Sequence, residues 1–247
     1  MATRVAKQAV IPGSQFDWRQ ILSRLPKIIF GLGFLALLIM LTMKAQDPGF
    51  LPIEKIRAQG EFVNLTEDML ISKAGNIHGG YFNINVQKIK NNIEAIPWVD
   101  RAYVRRVWPG TLMITVKEQR ARAVWGNKGL INDRNELFFP EAGTFPGGLP
   151  KLSGPNGSHG HLMLTYRTMQ DLLLTTGLEI YAMKLDARRA LSLQLTGDMK
   201  LLLGREAHYE RLKRFIRIYS KLLVSQAGQL NQIDMRYTNG FTILRKQ

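Results

Sequence analysis

The fold is decided by the stretch VDRAYVRRVWPGTLMITVKE, residues 99–118. Apolar residues recur through 99–107, where Val99, Tyr103 and Val107 are predicted to share one face of a strand. In the second half, Leu112, Ile114 and Val116 occupy every second position, which is typical of a strand with one buried face. Between them WPGT, residues 108–111, contains the residue types that most often form turns. The stretch therefore predicts two strands joined by a turn.

Upstream of this stretch, the sequence predicts a short strand and two helices. The strand covers 53–58. Thr66 is a good N-cap for a first helix that ends near Gly75. A second helix begins at about Asn85, carries isoleucines three or four residues apart, and is stopped by Pro97. The predicted order is β, α, α, β, β.

Further upstream, residues 28–43 read IIFGLGFLALLIMLTM and contain no charged residue. As a helix they would cover roughly 24 Å, and the stems of Lys27 and Lys44 can extend this toward the ~30 Å of a bilayer core. A buried core helix is disfavoured because the stretch is apolar on every face, and a cleaved signal peptide because no small-x-small pattern follows. We predict an uncleaved single-pass transmembrane helix at 28–43.

The flanking charges predict the orientation of that helix. Residues 1–27 carry five basic residues against Asp17 alone, so the N-terminus is expected in the cytoplasm. This segment is polar and without a hydrophobic pattern, and we predict that it is a disordered cytoplasmic segment. About 200 residues would then lie outside the membrane, which in a bacterium means the periplasm.

The composition excludes several classes of site. The chain has 247 residues and no cysteine, so disulfides and thiolate metal sites are excluded. Its net charge of +15 would suggest nucleic acid for a cytosolic protein. For an exported protein, anionic lipid headgroups, acidic partners, the cell wall or a merely solvated basic surface fit better. We expect a first domain with its linker at 44–119 and a second domain at 120–247.

The second domain is predicted to be α+β with a mainly antiparallel sheet. Its predicted strands and helices are a hairpin of 121–125 with 130–132, a helix at 162–176, strands at 191–195 and 201–203, and an amphipathic helix at 209–224 with its basic residues largely outward. A long surface loop is expected at 139–161. The chain should end in a hairpin of 233–238 with 241–244, joined by a two-residue turn at Asn239 and Gly240.

A search for catalytic constellations finds none. His159 and His161 have no further ligand at metal-binding spacing, and Ser158 beside His159 offers no triad. We therefore expect no enzyme, no cofactor, no metal and no small-molecule substrate. The alternative is a membrane-anchored periplasmic cell-wall binding protein or enzyme, for which Glu136 and Glu141 would be candidate carboxylates, with nothing in the sequence to orient them.

The ordered set of motifs resembles one family. PWV at 97–99 and VRRVWPGTLMITVKE at 104–118, downstream of an anchor, resemble the POTRA module of the FtsQ/DivIB family of bacterial cell-division proteins. The resemblance continues through Trp125 and three motifs of the second domain: LDARRALSLQL at 185–195, LLLGR at 201–205 and IDMRYTNGF at 233–241. It is strongest to members from Gram-negative bacteria. Ala121 is a departure, since members commonly have proline there.

The resemblance implies a non-enzymatic divisome scaffold at the division septum. Such a protein would bind membrane-anchored division proteins of the FtsB/FtsL type in the periplasm, and help localise and license septal peptidoglycan synthesis. It would bind no nucleic acid. The partner-binding residues that it implies are, on the C-terminal strands, Arg236, Tyr237, Asn239 and Gly240, and, on the second POTRA strand, Val104, Arg106 and Trp108.

Overall fold

The structure is a computed structural model, and it describes residues 18–45, 49, 51–75 and 80–246. The chain divides into two compact units. The first unit is formed by three segments, Met1–Lys55, Ile77–Ile84 and Trp108–Gly110, and the second by Ile56–Asn76, Asn85–Val107 and Thr111–Gln247.

The first unit contains the long helix α1, Trp18–Ala45. It covers the predicted apolar stretch but begins at Trp18 rather than at Ile28, so residues 18–27 of the segment predicted to be disordered are helical. Residues 1–17 lie outside the described residues. Among the residues that the structure describes, none of the helices is both long enough and apolar enough to cross a bilayer. The transmembrane helix at 28–43 stays a prediction.

Three strands, which form the first sheet, and two helices follow one another in the predicted order. The elements are β1, Lys55–Gln59; α2, Glu67–Ala74; α3, Val86–Glu94; β2, Val99–Val107; and β3, Thr111–Glu118. The strand order is β1-β3-β2, and β2 pairs antiparallel with β3. The predicted cap forms, because the Thr66 hydroxyl accepts from the Met69 amide at 3.3 Å. At the predicted start of the second helix, the Asn85 side chain accepts from the Lys88 amide at 2.9 Å.

The predicted faces of β2 are wrong. Ala102 is fully buried, whereas Tyr103 is 56% exposed. The cause is a register shift between Val99 and Arg101, where β2 gains a residue relative to β3. A bulge of this kind moves every later side chain to the other face. Val104 therefore lies on the side of Ala102, and Tyr103 lies outward.

The second sheet has nine strands. They are β4, Ala121–Trp125; β5, Gly129–Asn132; β6, Leu137–Phe138; β7, Lys151–Ser153; β8, Ile180–Leu185; β9, Leu191–Leu195; β10, Met199–Gly204; β11, Leu230–Asp234; and β12, Thr242–Arg245. Their order is β12-β11-β10-β9-β8-β7-β4-β5-β6. Three neighbouring pairs, β10 with β11, β7 with β8 and β4 with β7, are parallel. The other pairs are antiparallel, as predicted.

One face of this sheet is covered by two helices, α4, His159–Leu173, and α5, His208–Ile218. The core between sheet and helices contains the inward residues of alternate strand positions and one apolar stripe from each helix. Phe215 is the largest of its fully buried side chains. Two predictions need correction here. The loop at 139–161 contains β7 and the start of α4, and α5 ends at Ile218, where a π-helical turn, Tyr219–Leu223, follows.

The C-terminal strands pair antiparallel, with Asp234 opposite Thr242 and Ile233 opposite Ile243. The predicted two-residue turn between them is wrong. Residues 235–241 form the connection, and neither Asn239 nor Gly240 has the positive φ that such a turn requires.

The two sheets are joined by a charged network within the second unit. The Asp100 side chain on β2 is only 4% exposed. Both terminal nitrogens of Arg134 donate to its carboxylate, and the bond from Nη1 to Oδ2 is 3.0 Å long. Arg134 Nε also donates to Glu136 Oε2 at 2.9 Å, and the Lys117 ammonium nitrogen lies 3.5 Å from Asp100 Oδ2. Nearby, Trp98 Nε1 donates to the Thr144 hydroxyl at 2.9 Å.

This network predicts a pH-dependent stability. Hydrogen bonds from Arg134 hold the pKa of Asp100 below its usual value of 3.8. A carboxyl whose pKa is lowered by folding stabilises the protein above its unfolded pKa, and this stabilisation is lost as the pH falls through its folded pKa. We expect Asp100→Asn to lower the free energy of unfolding by about 2 kcal/mol at pH 7. At pH 3 the loss should be clearly smaller.

Urea unfolding of both proteins at the two pH values measures this difference. Asp171→Asn is the control, because Asp171 lies exposed on α4. An Asp100→Asn effect of equal size at both pH values would contradict the role of this ion pair.

Candidate partner-docking surface

The exposed edge of the nine-stranded sheet is β12. All four of its residues are exposed, including Leu244 at 55%. One side of β12 pairs with β11, and no described strand pairs with its other side. An edge of this kind presents free backbone donors and acceptors, to which an extended segment of another chain can add as a further strand.

The segment 235–241, which leads into β12, is held by one side chain from α5. Arg214 donates to the carbonyl oxygens of Met235 at 3.0 Å, Tyr237 at 2.6 Å and Gly240 at 3.4 Å, and also to that of Thr238. A tight turn would satisfy its own carbonyl groups, whereas here a guanidinium satisfies them. The predicted Asn-Gly turn does not form.

The sequence predicts Arg214 on the largely outward basic face of the helix and gives no indication of this role. The side chain is instead half-buried beneath the segment that it binds. The local pattern carries no signal for this, because the acceptors lie more than twenty residues further along the chain.

Arg236 forms a close pair with Asp234 at the end of β11. Its Nε donates to both carboxylate oxygens, at 2.9 and 3.0 Å, and its Nη2 to one of them at 2.6 Å. Asp234 is 4% exposed, and these bonds hold the pKa of its carboxyl below 3.8. The guanidinium is thus fixed in place, while more than half of the Arg236 side chain stays exposed.

A groove of about 440 Å³ lies beside Arg236. Three further arginines line it, from three separate places in the chain: Arg188, Arg205 and Arg211. The acidic lining residues are Asp186 and Glu206. The Asp186 carboxylate already accepts from two backbone amides, at 2.9 and 2.7 Å. Four arginines against two acidic residues leave the groove with an excess of positive charge. Of these arginines, the sequence predicts only Arg236 as a partner-binding residue.

The other predicted residues of this surface are accessible. The Tyr237 side chain is 53% exposed, and Asn239 and Gly240 are exposed on the same segment. The structure thus brings Arg236, Tyr237, Asn239 and Gly240 together beside the edge strand.

The predicted residues Val104, Arg106 and Trp108 lie on or directly after β2, which belongs to the three-stranded sheet and not to the sheet that contains β12. Val104 and Arg106 are half-buried on β2, and the exposed side chains of that strand are those of Arg101, Tyr103 and Arg105. Trp108 belongs to the first unit and is 73% exposed.

Comparisons with known proteins agree with this architecture. The model of the FtsQ-type POTRA domain matches residues 51–119, and the model of the C-terminal domain of cell division protein FtsQ/DivIB matches residues 123–236. The chain is 32% identical to the cell division protein FtsQ of Coxiella burnetii over 223 residues, which is 89% of this chain and 90% of that protein.

Two further relatives are also cell division proteins FtsQ. The Shewanella oneidensis FtsQ is 32% identical, over 86% of this chain and 84% of its own. The Vibrio cholerae FtsQ is 29% identical, over 80% and 76%. The chain belongs to the FtsQ/DivIB family. FtsQ is known as a non-catalytic division protein, and the relatives come from Gram-negative bacteria, which confirms the resemblance seen in the sequence.

The FtsQ/DivIB match covers only part of the docking surface. It includes Arg236 and the arginines of the groove, and it ends at Arg236. Tyr237, the rest of the connecting segment and β12 lie beyond the matched residues.

Proposed function

We propose that this protein is a scaffold of the division machinery that binds partners of the FtsB/FtsL type through strand addition at β12. The observation that carries the proposal is the exposed edge strand beside an ordered, exposed segment. Backbone hydrogen bonds to β12 would supply affinity, and side chains beside the edge would supply specificity. Membership of the FtsQ/DivIB family supports partners from the divisome.

The arginine groove gives this docking surface a preferred partner chemistry. Beside Arg236, which is already paired with Asp234, the groove presents the guanidinium groups of Arg188 and Arg205. Guanidinium groups bind carboxylates in two-point geometry. The partner segment that adds to β12 would carry acidic side chains toward this groove. Tyr237 would supply the apolar contact between groove and edge.

The proposal includes a location and a role. The chain would be anchored in the inner membrane by residues 28–43, with residues 1–27 in the cytoplasm and the two sheets in the periplasm at the septum. There it would help localise and license septal peptidoglycan synthesis. Val104, Arg106 and Trp108 would recruit further division proteins, separately from β12.

Photo-crosslinking in dividing cells tests the docking edge. A photoreactive amino acid at position 244 of the full-length protein should give a covalent adduct with an FtsB-type protein, identified by mass spectrometry after purification. The same amino acid at position 174 is the control, since Leu174 is also exposed but lies after α4. No adduct at 244, or equal adducts at both positions, would contradict docking at β12.

A further inference from the structure

The nine-stranded sheet has a second accessible surface, on the side opposite α4 and α5. Leu152 on β7, Met183 on β8 and Leu201 on β10 belong to the core, so the residues next to them in sequence lie on the opposite face. Three of these neighbours are exposed lysines: Lys151 on β7, Lys184 on β8 and Lys200 on β10. We refer to these three residues as the lysine face.

The strand register fixes the spacing of these lysines. Lys200 lies opposite Gln194, Gln194 opposite Ala182, and Ala182 opposite Lys151. Lys200 and Lys151 therefore lie at the two ends of one row that crosses four strands. Three strand spacings separate them, or about 14 Å. Lys184 is two residues beyond Ala182 on the same strand, about 7 Å from that row.

The three lysines surround a recess of about 340 Å³. Ser192 and Gln194 also line it, but the Ser192 hydroxyl donates to the carbonyl oxygen of Lys184 and the Gln194 amide to that of Asp198. The charged donors of the recess are the three lysine ammonium groups. None of the three lysines forms an ion pair with another part of the chain that the structure describes. The recess therefore presents uncompensated positive charge.

We infer that the lysine face binds an acidic polypeptide segment of a partner protein. The strands beneath it are interior strands with both edges paired, so a ligand must be recognised by side chains and not by strand addition. Carboxylates accept hydrogen bonds and complement the ammonium groups. At about 3.4 Å per residue, acidic side chains about four residues apart in an extended segment match the 14 Å row.

The shape of the surface favours a polypeptide over a lipid membrane. A recess between strand rows admits a narrow chain, whereas a bilayer is broad and contacts protruding basic residues. This surface lies on interior strands of the sheet, and its binding does not depend on docking at the edge strand β12.

The test compares two triple variants of the full-length chain in an uncharged detergent. One variant carries Lys151→Gln, Lys184→Gln and Lys200→Gln. The control carries Lys73→Gln, Lys88→Gln and Lys221→Gln, which removes the same charge from exposed positions on other elements. The probe is a fluorescent decaglutamate peptide, and its affinity is measured by anisotropy at low and at physiological salt.

We expect the lysine-face variant to bind the peptide about tenfold more weakly than wild type, and the control to lose less than about threefold. Equal losses in the two variants would show a non-specific charge effect and overturn the inference, as would no binding by wild type. Phosphatidylglycerol vesicles form a second arm. Loss of vesicle binding with unchanged peptide binding would assign the surface to lipid and also overturn it.

Discussion

Tyr237→Ala is expected to abolish detectable binding of the FtsB-type partner while leaving the fold intact. The side chain is 53% exposed and lies beside the edge strand, so its truncation leaves no cavity in the core. Its backbone oxygen keeps the 2.6 Å bond from Arg214 in the variant, since this bond needs no side chain. An exposed tyrosine at an interface offers a rigid apolar ring and a polar tip, and its loss costs about 2 kcal/mol or more of binding, a thirtyfold loss of affinity.

The measurement pairs affinity for the periplasmic part of the partner with thermal unfolding of the same samples. Tyr103→Ala is the matched control, because Tyr103 is 56% exposed but lies on the other sheet. The control should bind the FtsB-type partner like wild type. A fall in midpoint of about 10 °C or more for Tyr237→Ala would show a structural residue. Unchanged binding would refute docking at this surface.

The sequence predicts elements whose signals are local. The cap at Thr66, the helix start at Asn85 and the strand pair within 99–118 form as predicted, because each is specified by residues within a few positions of one another. Strand β8 was not predicted from its apolar pattern, because a register shift between Ile180 and Ala182 breaks the alternation on which such predictions rest.

The docking surface could be predicted only in part, because its geometry depends on tertiary contacts. The motif at 233–241 identified Arg236 and Tyr237, but it suggested a two-residue turn that the chain does not make. In the structure, the segment accepts hydrogen bonds from Arg214, which lies on a helix earlier in the chain. The arginine groove likewise exists only because the sheet topology brings Arg188 and Arg205 beside Arg236.

Arg214→Gln is expected to weaken partner binding by about thirtyfold without removing any residue that contacts the partner. Arg214 donates to four carbonyl groups of the connecting segment, and a glutamine is shorter, with a single amide nitrogen. Hydrogen bonds from a charged donor contribute about 1.5–3 kcal/mol. Without them the segment must be ordered when the partner binds, and that ordering lowers the affinity.

Amide hydrogen exchange distinguishes this effect from the loss of a contact. In Arg214→Gln, residues 235–241 should exchange faster than in wild type, whereas the core strands β9 and β10 should keep their protection. Arg217→Gln is the control, because Arg217 lies exposed on the same helix and the change in charge is the same. In Tyr237→Ala the exchange of 235–241 should stay close to that of wild type although binding is lost. If Arg214→Gln lowers the affinity with unchanged exchange, the arginine acts by contacting the partner and not by ordering the segment.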